Sequence, residues 1–227
     1  MADRRKETLE AGLAALDSSW PAGLADQLLA YLDLLQYWNR RFNLTGERDP
    51  QRLLSAHVLD CAAVSPHVQG GRLLDVGTGA GLPGLILAMA RPQLHTVLLD
   101  SNGKKTRFCV QAKAELGLDN VEVVRARAES YSPQQAFDTV ISRALTDAAT
   151  FLSLTAHLCR PDGQWLLMKG ADPGTELAEM GALGENARFI RLRVPGLQAV
   201  RHLVVIPATA ETQRPDGPAA PATTSDD

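Results

Sequence analysis

Apolar residues recur three and four apart through the first third of the chain, then fall into short runs separated by glycine and proline. Residues 3–17 place Leu9, Leu13 and Leu16 at helical spacing. A longer helix is predicted from Pro21, which suits a first turn, to about Arg41, with Leu24, Leu28, Leu32, Leu35 and Trp38 near one face. Asn43, Gly46 and Pro50 interrupt it, and a third helix is predicted over 50–63, with Pro66 after its end. From Arg72 strands and helices alternate. Strands are predicted at 72–76, 95–99, 121–125, 137–141 and 164–169. Helices are predicted near 83–90, at 103–117 with Gly117 as its stop, and at 146–159, ended by Pro161-Asp162-Gly163. A weaker helix near 173–182 precedes two strands, 187–194 and 200–206, which flank Pro195-Gly196 as an antiparallel hairpin.

Alternating β and α segments require a mainly parallel sheet with helices on both faces. The expected organisation is a helical N-terminal extension over 1–66, an α/β core over 67–207, and a disordered tail over 208–227, rich in Ala, Thr, Pro and Asp. A hydrophobic content of 45% is enough to bury a core, and no segment approaches a membrane span. The N-terminus shows no secretory pattern, and Cys61, Cys109 and Cys159 lack zinc spacing and fall within predicted helices. A cytoplasmic protein with reduced thiols, no bound metal and no membrane partner is expected.

The net charge of −3 argues against a nucleic-acid partner until its distribution is considered. The tail holds Glu211, Asp216, Asp226 and Asp227 against Arg214, so residues 1–207 are neutral overall. Their cations are clustered: Arg40/Arg41, Arg48/Arg52, Lys104/Lys105/Arg107, Arg125/Arg127, and Arg188/Arg191/Arg193 near Arg201/His202. A local basic face for RNA and ordinary solvated charge both fit that pattern.

The chemistry concentrates in Leu73-Leu74-Asp75-Val76-Gly77-Thr78-Gly79-Ala80-Gly81-Leu82-Pro83-Gly84. A strand feeds an acid and then a loop with glycine at alternate positions, where backbone must take positive φ and let a ligand approach. Asp100, at the end of the second strand, suits ribose hydroxyls. Gly79 to Gly84 formally matches the dinucleotide-binding G-x-G-x-x-G, a weak signal in isolation. In that fold the first glycine follows the strand directly, whereas here Gly77-Thr78 intervene. The segment Asp75 to Gly81 is instead similar to the signature loop of class I S-adenosylmethionine-dependent methyltransferases. That resemblance implies a Rossmann-like, mainly parallel seven-stranded sheet with a C-terminal antiparallel hairpin, and S-adenosyl-L-methionine as cofactor. In that setting Asp75 would pair with the cofactor's ammonium or order nearby water.

The residues after the fourth strand, Ser142-Arg143-Ala144-Leu145, lack the Asn/Asp-Pro-Pro-aromatic segment common among exocyclic-amine methylators. No cysteine is placed as a nucleophile for cytosine C5. Guanine N7 needs neither, because its lone pair is free at neutral pH; sulfur and small-molecule acceptors are equally independent of a base.

Beyond the loop, Trp38-Asn39-Arg40-Arg41-Phe42-Asn43-Leu44-Thr45, His57-Val58-Leu59-Asp60, Asp100-Ser101 with Lys104-Lys105 and Arg107-Phe108, Ser142-Arg143-Ala144, Lys169-Gly170 and Arg201 to Ile206 are distinctive. Together with the loop they resemble the bacterial 16S ribosomal RNA guanine-N7 methyltransferase G family, also called the glucose-inhibited division protein B family. The resemblance runs from about residue 8 to 207 and implies methylation of N7 of guanine 527 of 16S rRNA in the small ribosomal subunit; a monomer is expected. By position it implies that Gly77, Leu82, Ala128, Glu129 and Arg143 line the cofactor, with Asp75, Gly79 and Asp100 beside them. Arg143, Lys169 and Arg201 would serve the methyl transfer. Asn39, Arg40, Arg127, Arg201 and His202 would contact RNA. The 39–45 segment with His57 and Asp60 would close the cleft from the helical side.

Overall fold

The computed structural model describes residues 4–209 except 17, 48, 144–146, 171–173, 175–177, 179 and 181. Helix α1 (Arg4–Ala14) and α2 (Leu24–Phe42) open the chain. Pro21 lies ahead of α2 rather than in its first turn, because Gly23, in the left-handed region at φ 80°, immediately precedes the helix. The third predicted helix is not uniform. It is α3 (Pro50–Leu53), then a π-helical segment (Leu54–Leu59), then α4 (Asp60–Ala62).

The core follows as β1 (Arg72–Val76), α5 (Gly84–Ala90), β2 (His95–Leu99), α6 (Gly103–Leu116), β3 (Val121–Val124), β4 (Phe137–Arg143), α7 (Ala148–Thr155), β5 (Cys159–Lys169), β6 (Arg188–Leu192) and β7 (Arg201–Pro207). Asn102 caps α6 by accepting from the Lys104 amide, and Gly117 ends it at φ 63°. Among the described residues seven strands lie in the order β3-β2-β1-β4-β5-β7-β6. β1 to β5 pair in parallel, while β7 runs antiparallel to both β5 and β6. This is the expected α/β sheet with its C-terminal hairpin.

Two expectations fail around Pro161. The helix ends at Thr155, followed by one 3-10 turn, and the strand begins at Cys159. Cys159 is thus a strand residue, not a helical one. Phe137 pairs with Cys159 but Thr139 pairs with Gln164, so Pro161-Asp162-Gly163 forms a bulge inside β5 instead of a terminator. The helix expected over 173–182 and the tail from residue 210 lie outside the described residues.

The sheet separates two cores. One face packs under α7, around Trp165, Phe151 and Phe137. The other carries α5 and α6, and α2 packs over them through Leu28, Leu32, Leu35 and Tyr31. The N-terminal helices therefore add a layer above the glycine loop. Among the described residues no helix is long and apolar enough to cross a membrane.

Candidate functional site

The glycine loop is held from three sides. The amides of Gly77 and Thr78 both donate to the Leu99 carbonyl, at 2.8 and 3.1 Å. The Gly79 amide donates to Asp100 Oδ2 at 3.0 Å. From α2, the Tyr31 hydroxyl donates to the Ala80 carbonyl at 2.8 Å. Gly77, Gly79 and Gly81 have φ of 68°, 61° and 76°, the left-handed region that favours glycine.

Asp75 serves this loop from inside. Its Oδ2 accepts from Thr78 Oγ1 at 2.6 Å and from the Gly84 amide at 2.8 Å. The residue is fully buried, and among the described residues Oδ1 has no hydrogen-bond partner. Burial pushes its carboxyl up to about 6, against the lowering effect of those two donors and of Arg143. The expectation that Asp75 meets the cofactor directly is therefore revised: it braces the turn. Leu82, likewise expected in the cofactor lining, is buried in the core beneath the loop.

A cavity of about 490 Å³ opens where β1, β2 and β3 end. Gly77, Asp100, Asn102, Arg127, Ala128 and Glu129 line it, with α7 contributing Thr150 and Leu154. This is the crevice outside the carboxyl ends of parallel strands, where α/β folds bind ligands. Asp100 accepts from Gly79 and Asn102 amides, which leaves acceptor capacity on both oxygens. Lys105 Nζ stands 3.8 Å from Oδ2. The exposed Glu129 and the buried Ala128 line the same cavity as Asp100. The residues present suit an adenosine-bearing cofactor. Among the described residues no cluster of His, Cys, Asp or Glu could hold a metal ion.

A second cluster lies at the end of β4. Arg143 Nη1 approaches the Ala56 carbonyl at 3.3 Å, His57 Nδ1 at 3.3 Å and Asp60 Oδ2 at 4.0 Å. Arg201, from the start of β7, places Nε 3.4 Å from Asp60. One buried carboxylate thus joins two cations from two strands to the π-helical segment. Burial raises the Asp60 carboxyl, while Arg201 and Arg143 oppose that rise. Gly170 lies close by: a Cβ there would stand 3.8 Å from Arg201 Nη1.

The sheet divides the other expected residues. Arg143 pairs with Met168 and Met168 with Leu203, so Arg143 and Arg201 project from the face covered by the N-terminal helices. Lys169 pairs with His202, and both project from the opposite face. His202 is buried and stacks against Phe189 at 4.6 Å. It does not join Arg201. Asn39 is also buried, its amide engaged by the Thr45 and Glu47 backbone. Its expected RNA contact is revised to a structural one. Arg40, next to it, is exposed in the last turn of α2, and Arg127 is exposed at the cavity rim. Thr45 belongs to the segment expected to close the cleft, whereas the Ala56 carbonyl was not among the expected site residues; its neighbour His57 was the signal that pointed there.

Comparison with known proteins gives the family and the fold. The family model for rRNA small subunit methyltransferase G matches residues 24–204. A ribosomal RNA small subunit methyltransferase G from Methylobacillus flagellatus is 49% identical over 203 residues, covering 89% of this chain and 98% of its own. The protein of that name from Nitrosococcus oceani is 47% identical over 196 residues, covering 86% and 92%. Among solved structures, a SAM-dependent methyltransferase from Aquifex aeolicus superposes with a TM-score of 0.52 at 20% identity, covering 79% of this chain and 98% of that one. This last likeness concerns the fold.

Proposed function

Because the chain belongs to the rRNA small subunit methyltransferase G family, we propose that it transfers the methyl group of S-adenosyl-L-methionine to N7 of guanine 527 of 16S rRNA in the small ribosomal subunit. The observation that carries this is the family match over residues 24–204, which contains the whole glycine loop, the cavity and the Arg143–Asp60–Arg201 cluster.

The bound cofactor supplies a sulfonium-activated methyl group. The protein's part is to bind, orient and exclude water. Asp100 holds the ribose, Ala128 and Glu129 hold the adenine edge, and Gly77 and Gly79 let the backbone approach. Asp75 keeps that turn in place. Guanine N7 uses its own lone pair, so no residue needs to remove a proton. Arg143 and Arg201 hold the RNA phosphate or the guanine edge on the side of the N-terminal helices. Arg40 and Arg127 contact RNA further out. Lys169 approaches from the other face of the sheet and would contact a separate phosphate. Residues 1–66 close the cleft over the core of 67–207, and the protein works as a monomer in the cytoplasm.

The test uses labelled S-adenosylmethionine and small subunits purified from cells that lack the modification. Label should enter 16S RNA and stay out of ribosomal proteins. Unlabelled 16S RNA from a protein that still binds S-adenosylhomocysteine would refute the reading.

A further inference from the structure

We propose that His57 is a positioning residue: through Thr45 on one side and the Ala56 carbonyl on the other, it ties the segment Asn43–Glu47 to Arg143 and fixes that guanidinium for methyl transfer. The inference rests on the functional reading above for what Arg143 does.

The chain of contacts is continuous. Asn39 Nδ2 donates to the carbonyls of Thr45 and Glu47, at 3.0 and 3.4 Å, and its Oδ1 accepts the Thr45 amide at 3.0 Å. The segment is thus wrapped around one buried side chain. Thr45 Oγ1 lies 2.8 Å from His57 Nε2 and accepts the Glu47 amide at 3.2 Å. His57 Nδ1 lies 2.9 Å from the Ala56 carbonyl, the same oxygen that Arg143 Nη1 reaches at 3.3 Å. A carbonyl accepts only, so it takes the Nδ1 proton. Nε2 is then the acceptor of the Thr45 hydroxyl, and Arg143 Nη1, itself a donor, bonds the shared Ala56 carbonyl rather than the protonated Nδ1. The π-helical turn brings the Ala56 carbonyl, the His57 ring and the Asp60 carboxylate to the same guanidinium. Such turns recur at functional sites.

Burial beside Arg143 favours a neutral ring. Glu47 faces His57 from the segment, Arg143 from β4, Arg201 from β7 and Asp60 from the next turn. Burial and then Arg143 hold the imidazole below its ordinary value. A proton on Nε2 would reverse the Thr45 contact, since that hydroxyl can also accept, and would set a cation 3.3 Å from Arg143 Nη1. Acid therefore loosens Arg143, and activity falls as pH drops through the His57 titration.

The experiment compares His57→Ala, His57→Gln, Arg143→Ala and the His57→Ala/Arg143→Ala pair in the full-length enzyme with small subunits and labelled S-adenosylmethionine. Calorimetry with S-adenosylhomocysteine reports the cofactor site. His57→Ala should lower kcat by roughly 100-fold, as misplacing a reacting group does, with cofactor affinity changed by no more than about twofold. His57→Gln, whose amide oxygen can still accept from Thr45, should recover most of that loss and flatten the acid limb of the pH profile. In the Arg143→Ala background, His57→Ala should cost nothing further. Thr45→Val keeps the side-chain shape and should follow His57→Ala, which covers the case in which the alanine variant does not fold. Equal losses from His57→Ala in both backgrounds, or an unchanged acid limb in His57→Gln, would overturn the inference while leaving the methyltransferase reading intact. Unmodified enzyme that leaves 16S RNA unlabelled would overturn both.

Discussion

The hydroxyl of Tyr31 donates to the carbonyl of Ala80 over 2.8 Å, joining the middle of α2 to the glycine loop across 49 positions of chain. Tyr31 is fully buried, and its ring meets Phe108 of α6 edge-on at 6.2 Å. The N-terminal helices are thereby part of the loop's support. Tyr31→Phe leaves the Ala80 carbonyl without this donor and should cost about 1–2 kcal/mol of stability. Affinity for S-adenosylhomocysteine should fall with it, measured by calorimetry. Unchanged affinity would mean that the loop holds its shape without α2.

Gly84 has no room for a side chain. A Cβ there would overlap Leu98 and stand 2.8 Å from Asp75 Oδ2. Gly84→Ala should destabilise the protein by about 1–3 kcal/mol, as overpacking does, and weaken cofactor binding by shifting Asp75. Among the described residues Gly170→Ala meets only Arg201 Nη1, at 3.8 Å, and should leave the melting temperature unchanged. Thermal melts of the two variants make the comparison.

Much of this was legible in the sequence, for physical reasons that differ by region. β1 and its loop stand out because an apolar run, an acid and alternating glycines leave few other backbone solutions. The start of β5 was harder. Pro161-Asp162-Gly163 reads as a terminator, since local turn chemistry is all that sequence offers there. Only pairing with β4 shows that the strand passes through it. Arg201 and His202 were expected to act together, yet neighbours on a strand face opposite ways, and that alternation was available from the start. The π-helical turn beneath His57 has no sequence signature. Asp75 was recognised as important; its burial, not its identity, decides that it braces the turn.

The pH dependence of stability tests the burial of Asp75. Its folded pKa, about 6, lies above the ordinary carboxylate value. Between roughly pH 4 and 6 the folded state therefore binds more protons than the unfolded one, and this residue's contribution to stability falls as pH rises. Asp75→Asn cannot titrate. The stability difference, wild type minus variant, should decline from pH 4 to pH 7 in denaturant titrations. A difference that grows with pH would mean that the Thr78 and Gly84 donors outweigh burial.

Two substitutions separate the cavity from the arginine cluster. Asp100→Ala removes the acceptor at the end of β2 and should weaken cofactor binding by about tenfold or more, the cost of losing a charged hydrogen-bond partner. Arg143→Ala should lower kcat by more than its effect on cofactor affinity explains. Calorimetry and steady-state kinetics on both variants decide this. Unaltered activity in both would refute the assignment of the site.

The central claim is that the loop, the cavity and the Arg143–Asp60–Arg201 cluster together deliver a methyl group to one guanine. The direct measurement is to treat unmodified small subunits with the enzyme and S-adenosylmethionine, cleave the RNA chemically at 7-methylguanine, and read the position by primer extension. The account predicts a single new stop reporting guanine 527 of 16S rRNA, absent without enzyme. Cleavage at another guanine, or none while the protein binds the cofactor, would contradict it.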